Sequence, residues 1–154
     1  MRAVVQRVTS ASVTIDATMV GSIGKGLVVL LGVAVDDSDD DVAFMVRKLG
    51  RLRIFGDAEG RMNLSIGDAG GAFLVVSQFT LYGDVSGGNR PSFTGAASGE
   101  TADRLYQAVC FGLRRDGFDV QTGVFGAHMT VALVGDGPVT IQIDTRSHKD
   151  SQGQ

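Results

Sequence analysis

The longest apolar run of the chain covers nine residues, Leu27 to Val35 (LVVLLGVAV). A strand with one solvated face alternates apolar and polar residues, whereas this run shows no alternation. It therefore predicts a central strand that is covered on both faces. Phe73 to Val76 is a shorter run of the same kind. The fold has to place apolar residues on both sides of these strands.

Two amphipathic helices are predicted from helical periodicity. After Ser38, apolar residues recur with the i, i+3, i+4, i+7 spacing of a helix, at positions 42, 45, 46 and 49. The acidic run covers residues 36–41; Ser38 within it is a suitable N-cap, and the aspartates after it, at 39–41, complement the positive end of a helix dipole. We therefore interpret this acidic run as a helix start in preference to a cation site. The second helix is predicted over about residues 99–116, with Gly117 as its stop.

The other apolar segments are predicted to be short strands. Together with the two runs above, the predicted strands cover residues 2–15 with a bulge near Thr9, 19–23, 51–55, 118–122, 129–134 and 139–144. Hairpins outnumber strand-helix-strand units, which predicts an α+β fold: a mostly antiparallel sheet or partial barrel with two long helices packed on one side. Residues 1–145 are expected to form one domain, and residues 146–154 a disordered polar tail.

Charge and composition narrow the functional classes. The net charge of −3 argues against broad nucleic-acid binding but allows a local contact with an RNA end. No apolar stretch approaches the roughly 18 residues of a membrane span and no secretory signal is recognised, so a cytoplasmic location is expected. The single cysteine, Cys110, is interpreted as a small buried apolar residue. With one cysteine and two scattered histidines, neither a metal site nor a cofactor is predicted.

The common side-chain patterns of catalysis are absent. There is no GxSxG, no GxGxxG at a strand-to-helix turn, and His148 falls in the polar tail. An enzyme with this sequence would have to use positioning and backbone dipoles. Two segments are candidates: SQFT (77–80), where a buried strand ends in polar residues, and GDGPVT (135–140). Taken alone, the first can also be a capped strand end, and the second an ordinary turn with a trans proline.

SQFTL (77–81) and GPVT (137–140) are also the signature segments of the D-aminoacyl-tRNA deacylases, and the chain resembles that family over residues 1–145. Further matching segments follow in order: MRAVVQRV (1–8), GSIGKGLVVLLGV (21–33), LRIF (52–55), MNLS (62–65), RPSF (90–93) and GVFGAHM (123–129). The resemblance implies a homodimeric hydrolase with its site at the subunit interface. Its substrate would be the ester that joins a D-amino acid, or glycine, to the terminal adenosine of tRNA.

The resemblance also implies roles for single residues. Gly137 and Pro138 would form a cis peptide that enters the partner subunit's site and rejects L-amino acids, because a rigid backbone there leaves no room for an L side chain. Arg7 would support that loop. The pocket would be lined by Ser77 and Gln78, with Phe79 and Thr80 as the catalytic positions, whose backbone N–H groups hold the ester carbonyl or its oxyanion.

Two mechanisms are compatible with these roles. Either Thr80 attacks the ester as a nucleophile, or water attacks with help from the ribose 2′-OH. We favour water, because no base that could activate Thr80 is recognised in the sequence. Two positions differ from the family pattern: His128 stands where an acidic residue is expected, and Gly135 where an asparagine is. A structural role is expected for His128, with general-base catalysis as the alternative.

Two other functional interpretations remain open. A detached editing domain of the threonyl-tRNA synthetase type shares the expected fold, but it would clear an L-amino acid, and an intact GPVT segment argues against that. The chain could instead be a non-catalytic module that binds the tRNA end or a protein. The expected partners are aminoacylated tRNA and a second copy of the chain, with no membrane and no DNA.

Overall fold

The computed structural model describes residues 1–152, and the backbone alone for residues 149–152. The strands are β1 (Arg2–Ile15), β2 (Thr18–Ile23), β3 (Gly26–Gly32), β4 (Phe55–Gly56), β5 (Met62–Leu64), β6 (Ala72–Ser77), β7 (Val120–Thr122) and β8 (Thr130–Asp144). The helices are α1 (Asp39–Arg51), α2 (Gly99–Arg115) and α3 (Thr145–Gln152), and a 3₁₀ turn covers Phe79–Tyr82. We call this last element the 79–82 turn.

Six strands form one curled sheet. Its order is β2-β1-β3-β6-β7, and β8 pairs with the other edge of β1. The pairings of β1 with β2, β3 and β8 are antiparallel, whereas β3 with β6 and β6 with β7 are parallel. Strands β4 and β5 form a separate small hairpin. The predicted α+β class, with two long helices and a partial barrel, is confirmed. Two of the five strand pairings are parallel, because the crossovers containing α1 and α2 return the chain to the sheet in the same direction.

The central strands are buried on both faces, as the sequence predicts. Leu27 and Phe73 point toward the layer of α1 and α2, where they pack in a core that includes Leu105. Val28 and Leu74, one residue further along each strand, belong to a second core inside the curl of the sheet. Side chains of consecutive strand residues point to opposite faces, so two cores are filled by the same two strands.

The helix termini follow their sequence signals. Ser38 precedes α1, where its N–H and its hydroxyl both donate to the Asp41 carboxylate, at 2.9 and 3.1 Å. The C-terminal end of α2 is followed by Gly117, which has a φ of 92°, the left-handed conformation that glycine adopts without strain. The α2 bounds agree with the predicted helix to within one residue. Among the described residues, no helix combines the length and the apolar composition that crossing a membrane requires.

The bend predicted near Thr9 is confirmed. The pairing of β1 with β8 shifts register between Gln6 and Val8 and again between Val8 and Ser10. Around this irregularity the buried positions of β1 change from Ala3 and Val5 to Val8. One strand can therefore contribute to both cores.

Three local predictions differ from the structure. Residues 129–134 and 139–144 belong to one strand, β8, because its pairing with β1 continues on both sides of an outward bulge at 136–139. Of the predicted strand at 51–55, Arg51 ends α1, Phe55 begins β4, and residues 52–54 belong to neither a helix nor a strand. The predicted disordered tail is helical over residues 145–152, because Arg146 pairs with Asp36 at 2.7 Å and His148 stacks on Phe44 at 4.3 Å. Residues 153–154 of that predicted tail lie outside the described residues.

Candidate active site

A cavity of about 640 Å³ lies where β6 leaves the sheet. Its wall combines the end of β6, the loop before α2, the first turn of α2 and the segment before β8. The lining residues are Val33, Val76, Ser77, Gln78, Phe79, Phe93, Ala96, Ala97, Gly99, Ala102, Phe125, Gly126, Ala127, His128, Met129 and Val131. Three of the predicted site residues, Ser77, Gln78 and Phe79, are therefore brought together in one mostly apolar cavity.

The backbone beside the cavity leaves two donors without partners. Gln78 N–H donates to Leu31 O at 2.8 Å, and Leu81 N–H donates to Gln78 O at 3.3 Å. Between them, the N–H groups of Phe79 and Thr80 donate to no acceptor within residues 1–152. Such orphan groups occur in the first turn of every helical segment, because no preceding turn supplies carbonyls. Two adjacent N–H groups at a cavity can hold a carbonyl oxygen or an oxyanion.

Thr80 has an exposed side chain next to these donors. Its hydroxyl accepts a hydrogen bond from the Gln78 side-chain amide. In the described part of the chain, no carboxylate and no imidazole hydrogen-bonds to this hydroxyl. The arrangement orients Thr80 but provides no base to remove its proton.

Aromatic side chains form one side of the cavity. The rings of Phe79 and Phe93 meet edge to face, with centroids 5.0 Å apart. Phe125 lines the same space. Phe79 remains 55% exposed, although an aromatic ring is among the most favourable groups to bury. The cavity therefore offers ring surfaces to a flat, apolar ligand group.

Arg2 holds the 79–82 turn from behind. Its Nη1 donates to Leu81 O at 3.1 Å, and its Nε donates to the Asp144 carboxylate at 2.9 Å. Its guanidinium also lies over the Tyr82 ring, 4.7 Å from the centroid. Burial acts against ionisation of Asp144, but the hydrogen bonds from Arg2 and from the Arg146 backbone prevail, so the pKa of Asp144 is lowered.

Tyr82 anchors the turn in the protein. It is 5% exposed, and burial together with the charges of Asp37 and Asp144 raises the pKa of its phenol. Sequence reasoning assigned no role to Arg2 or Tyr82. The available signal was the segment MRAVVQRV, which contains Arg2 and matches the family, although the match says nothing about what Arg2 contacts.

The Gly137–Pro138 peptide bond is cis, and it lies in the outward bulge of β8. Gly137 has a φ of 130°, and a Cβ at this position would lie 2.7 Å from the Val139 nitrogen. Glycine is required there for both reasons. Neither Gly137 nor Pro138 lines the cavity.

Arg7 fastens the bulge to the rest of the chain. Its Nε donates to Asp136 O at 3.1 Å and lies 3.3 Å from the Asp136 carboxylate. Its Nη1 donates to Ile54 O at 2.5 Å. The structure thus places Arg7 against the loop that precedes Gly137, at the position where the sequence predicts a supporting residue.

The two signature segments are far apart within one chain. Arg7 of β1 is opposite Leu27 of β3, which is opposite Phe73 of β6, four residues before Ser77. The bulge of β8 lies beside Arg7, so three strand-to-strand steps and four residues along the strand separate it from Ser77. With about 4.8 Å per step and about 3.3 Å per residue, the separation along the sheet is roughly 19 Å. One chain therefore does not bring Gly137 and Pro138 to its own cavity.

Comparison with known proteins assigns the chain to a family. The family model described as D-Tyr-tRNA(Tyr) deacylase matches residues 4–144. The chain belongs to this family. The resemblance that rests on SQFTL and GPVT is thereby confirmed, and so is the prediction of an enzyme of the deacylase class. The match covers both signature segments and every strand from β2 to β8, together with β1 from residue 4 onward.

Relatives of this deacylase chain are similar over nearly their whole length. The D-aminoacyl-tRNA deacylase of Anaeromyxobacter dehalogenans (strain 2CP-C) is 58% identical over 146 residues, which are 95% of this chain and 98% of the relative. That of Desulfitobacterium hafniense (strain DSM 10664 / DCB-2) is 55% identical over 148 residues, covering 96% and 99%.

Two solved structures share the fold of this deacylase. One, titled c-Myc DNA Unwinding Element Binding Protein, has a TM-score of 0.89 and 41% identity, and the match covers 94% of this chain and 98% of that one. The other is titled as a probable eukaryotic D-amino acid tRNA deacylase, with a TM-score of 0.80 and coverage of 93% and 98%. Its identity is 20%, so the likeness supports the fold alone.

Proposed function

We propose that this chain hydrolyses the ester bond of D-aminoacyl-tRNA, releasing free tRNA and a D-amino acid. The observation that carries the proposal is the pair of unpartnered N–H groups at Phe79 and Thr80 beside the cavity, in a chain whose relatives are named for this activity. Glycine esters would also be accepted, because glycine has no side chain by which a steric filter could reject it. Removal of D-amino acids from tRNA is a proofreading activity, and we expect a cytoplasmic protein.

The cavity fits the end of an aminoacylated RNA. Its aromatic wall suits the terminal adenine, since bases stack on aromatic side chains. The ester would then lie at the polar end of the cavity, near Ser77 and Gln78. In this position the carbonyl oxygen accepts hydrogen bonds from the N–H groups of Phe79 and Thr80, which strengthen as the oxygen becomes negative.

Water is the nucleophile that we favour. A water oxygen attacks the ester carbon, the tetrahedral intermediate expels the ribose 3′ oxygen, and the adjacent 2′-OH relays the proton from the water to that leaving oxygen. The Thr80 hydroxyl accepts a hydrogen bond from Gln78 and has no carboxylate or imidazole beside it in the part of the chain that the structure describes. Attack by Thr80 is the alternative mechanism.

Selectivity against L-amino acids is assigned to Gly137 and Pro138 of a second copy of the chain. The separation of roughly 19 Å within one chain supports this assignment, since it leaves each cavity without the loop unless a partner supplies it. A homodimer with two sites at its interface follows. Arg7 has the role of keeping the loop rigid through Asp136. We expect no membrane or DNA partner, and a net charge of −3 favours neither.

The test is paired hydrolysis of D-tyrosyl-tRNA and L-tyrosyl-tRNA by the unaltered protein and by Thr80→Ala. We expect both proteins to release tyrosine from the D ester alone, with the variant within about tenfold of the unaltered rate because positioning and not Thr80 drives the reaction. Complete loss of activity in a folded Thr80→Ala protein would support the nucleophile instead. Hydrolysis of the L ester would indicate the editing-domain alternative, and no hydrolysis above the buffer rate would indicate a binding module.

A further inference from the structure

One ionisable side chain, His128, lines the cavity. The other lining residues are apolar or uncharged, and none is an acid, lysine, arginine, cysteine or tyrosine. A charged ligand group that enters this cavity therefore meets a single side chain whose charge can respond to it. Imidazole changes its charge in the physiological pH range, with an ordinary pKa of about 6.5.

The rest of the described structure gives His128 no partner. Its side chain is exposed and makes no hydrogen bond, ion pair or ring contact with any residue of 1–152. It follows a tight turn, closed by the bond from Ala127 N–H to Val124 O at 3.2 Å, in which Gly126 has a φ of 76°. The turn thus fixes the backbone position of His128, and the imidazole is available to bind a ligand.

We propose that the protonated His128 binds the phosphodiester that precedes the terminal adenosine of the substrate. This inference rests on the proposed function, which supplies an RNA end whose ester lies near Ser77 and Gln78. The phosphodiester is then the anionic group closest to the terminal nucleoside, and no other lining residue can carry a positive charge. A charge-assisted hydrogen bond from imidazolium to a phosphate oxygen orients the nucleotide.

The sign of the pH dependence follows from this pairing. A protonated imidazole attracts a phosphate oxygen more strongly than a neutral one does, so the proposal predicts that an anionic probe binds more weakly as the pH rises. Two acids are close in sequence to the residues concerned without lining the cavity: Glu100 directly follows Gly99 in the first turn of α2, and Asp16 follows β1, whose Thr14 pairs with Thr130 of β8. Neither forms an ion pair with His128 among the described residues, so they do not replace the phosphate.

The test compares two inhibitors of D-tyrosyl-tRNA hydrolysis: adenosine, and the methyl ester of adenosine 5′-phosphate. The second probe is a diester with one negative charge from pH 5.5 to pH 8, so its own charge does not change. The proteins are the unaltered chain, His128→Gln, His128→Lys and, as the matched control, His148→Gln. His148 is the other histidine and stacks on Phe44 of α1.

For the unaltered chain and His148→Gln, we expect the diester to bind about three- to tenfold better than adenosine at pH 5.5, and about equally at pH 8. His128→Gln should show no preference at either pH, because it carries no charge. His128→Lys should prefer the diester at both pH values, because its ammonium stays protonated. Circular dichroism checks that the variants are folded.

Several results would overturn the inference. One is a preference for the diester that His128→Gln retains; another is a preference for the diester that increases with pH, which a protonated imidazole cannot produce. Absence of inhibition by both probes would also contradict it. These outcomes are distinct from failure of the proposed function, in which the unaltered protein does not hydrolyse D-tyrosyl-tRNA at all.

Discussion

Cys110 illustrates how burial controls the chemistry of a single residue. Its side chain is fully buried in α2, and burial raises the pKa of its thiol to about 11. About one thiol in a thousand would then be ionised at pH 8, and the thiolate is the reactive form. We expect no reaction with an aromatic disulfide reagent at pH 8 in the native protein, and unchanged ester hydrolysis after the treatment. One thiol per chain should react in denaturant, which is the control.

The same residue scale shows what a sequence can and cannot predict. The burial of Cys110 is predictable, because a lone cysteine in a helical apolar pattern has few other uses. The contacts of Arg2 are not, because its partners Leu81 and Asp144 are 79 and 142 residues away along the chain. His128 is a third case. A single histidine has no spacing pattern, so its exposure at the cavity could be recognised only when the cavity was known.

At the scale of the secondary-structure elements, β8 exposes two large apolar side chains next to each other. Leu133 is 43% exposed and Val134 57%, and one edge of the strand has no neighbour in the described chain. Such an edge pairs readily with another chain. We expect the double variant Leu133→Glu, Val134→Glu to be monomeric, and the unaltered protein to have about twice the 16.1 kDa mass of one chain in light scattering after size exclusion.

The matched control for this prediction is Phe111→Glu. Phe111 is 67% exposed, more than either β8 residue, but it lies on α2. Its variant should keep the mass of the unaltered protein. Equal masses for the β8 variant and the unaltered protein would show that β8 is not the contact surface.

Elements that depend on local periodicity were predictable, and those that depend on distant pairing were not. Both long helices agree with their apolar spacing, because the core face of a helix recurs every three to four residues. β8 was expected as two strands, since Gly135 to Pro138 has the composition of a hairpin turn. Its continuity depends on β1, which lies more than 110 residues earlier in the chain and pairs on both sides of the bulge. Helix α3 is similar, because its first turn depends on Asp36.

At the scale of the whole molecule, the residues proposed for the site lie at two separate places in each chain. The cavity with Ser77 to Thr80 lies at one end of β6, and the loop with Gly137 and Pro138 lies roughly 19 Å away on β8. Under the proposed function, a subunit would complete its site only with the loop of a partner. Symmetry then makes two such sites in a dimer, because a two-fold axis repeats every contact. Selectivity against the L ester should therefore be a property of the dimer. This can be tested by introducing a different substitution into each of the two subunits.

The test is a heterodimer of Ala127→Trp, which fills the cavity, and Gly137→Ala, which displaces the loop because its Cβ would lie 2.7 Å from the Val139 nitrogen. The open cavity then faces an intact loop, and the displaced loop faces a filled cavity. With different tags used for purification, we expect the heterodimer to hydrolyse D-tyrosyl-tRNA at about half the unaltered rate and to spare the L ester. The Gly137→Ala homodimer, in contrast, should hydrolyse both esters. L-ester hydrolysis by the heterodimer would mean that each loop serves its own subunit. If the Gly137→Ala homodimer still rejects the L ester, the loop does not select the substrate.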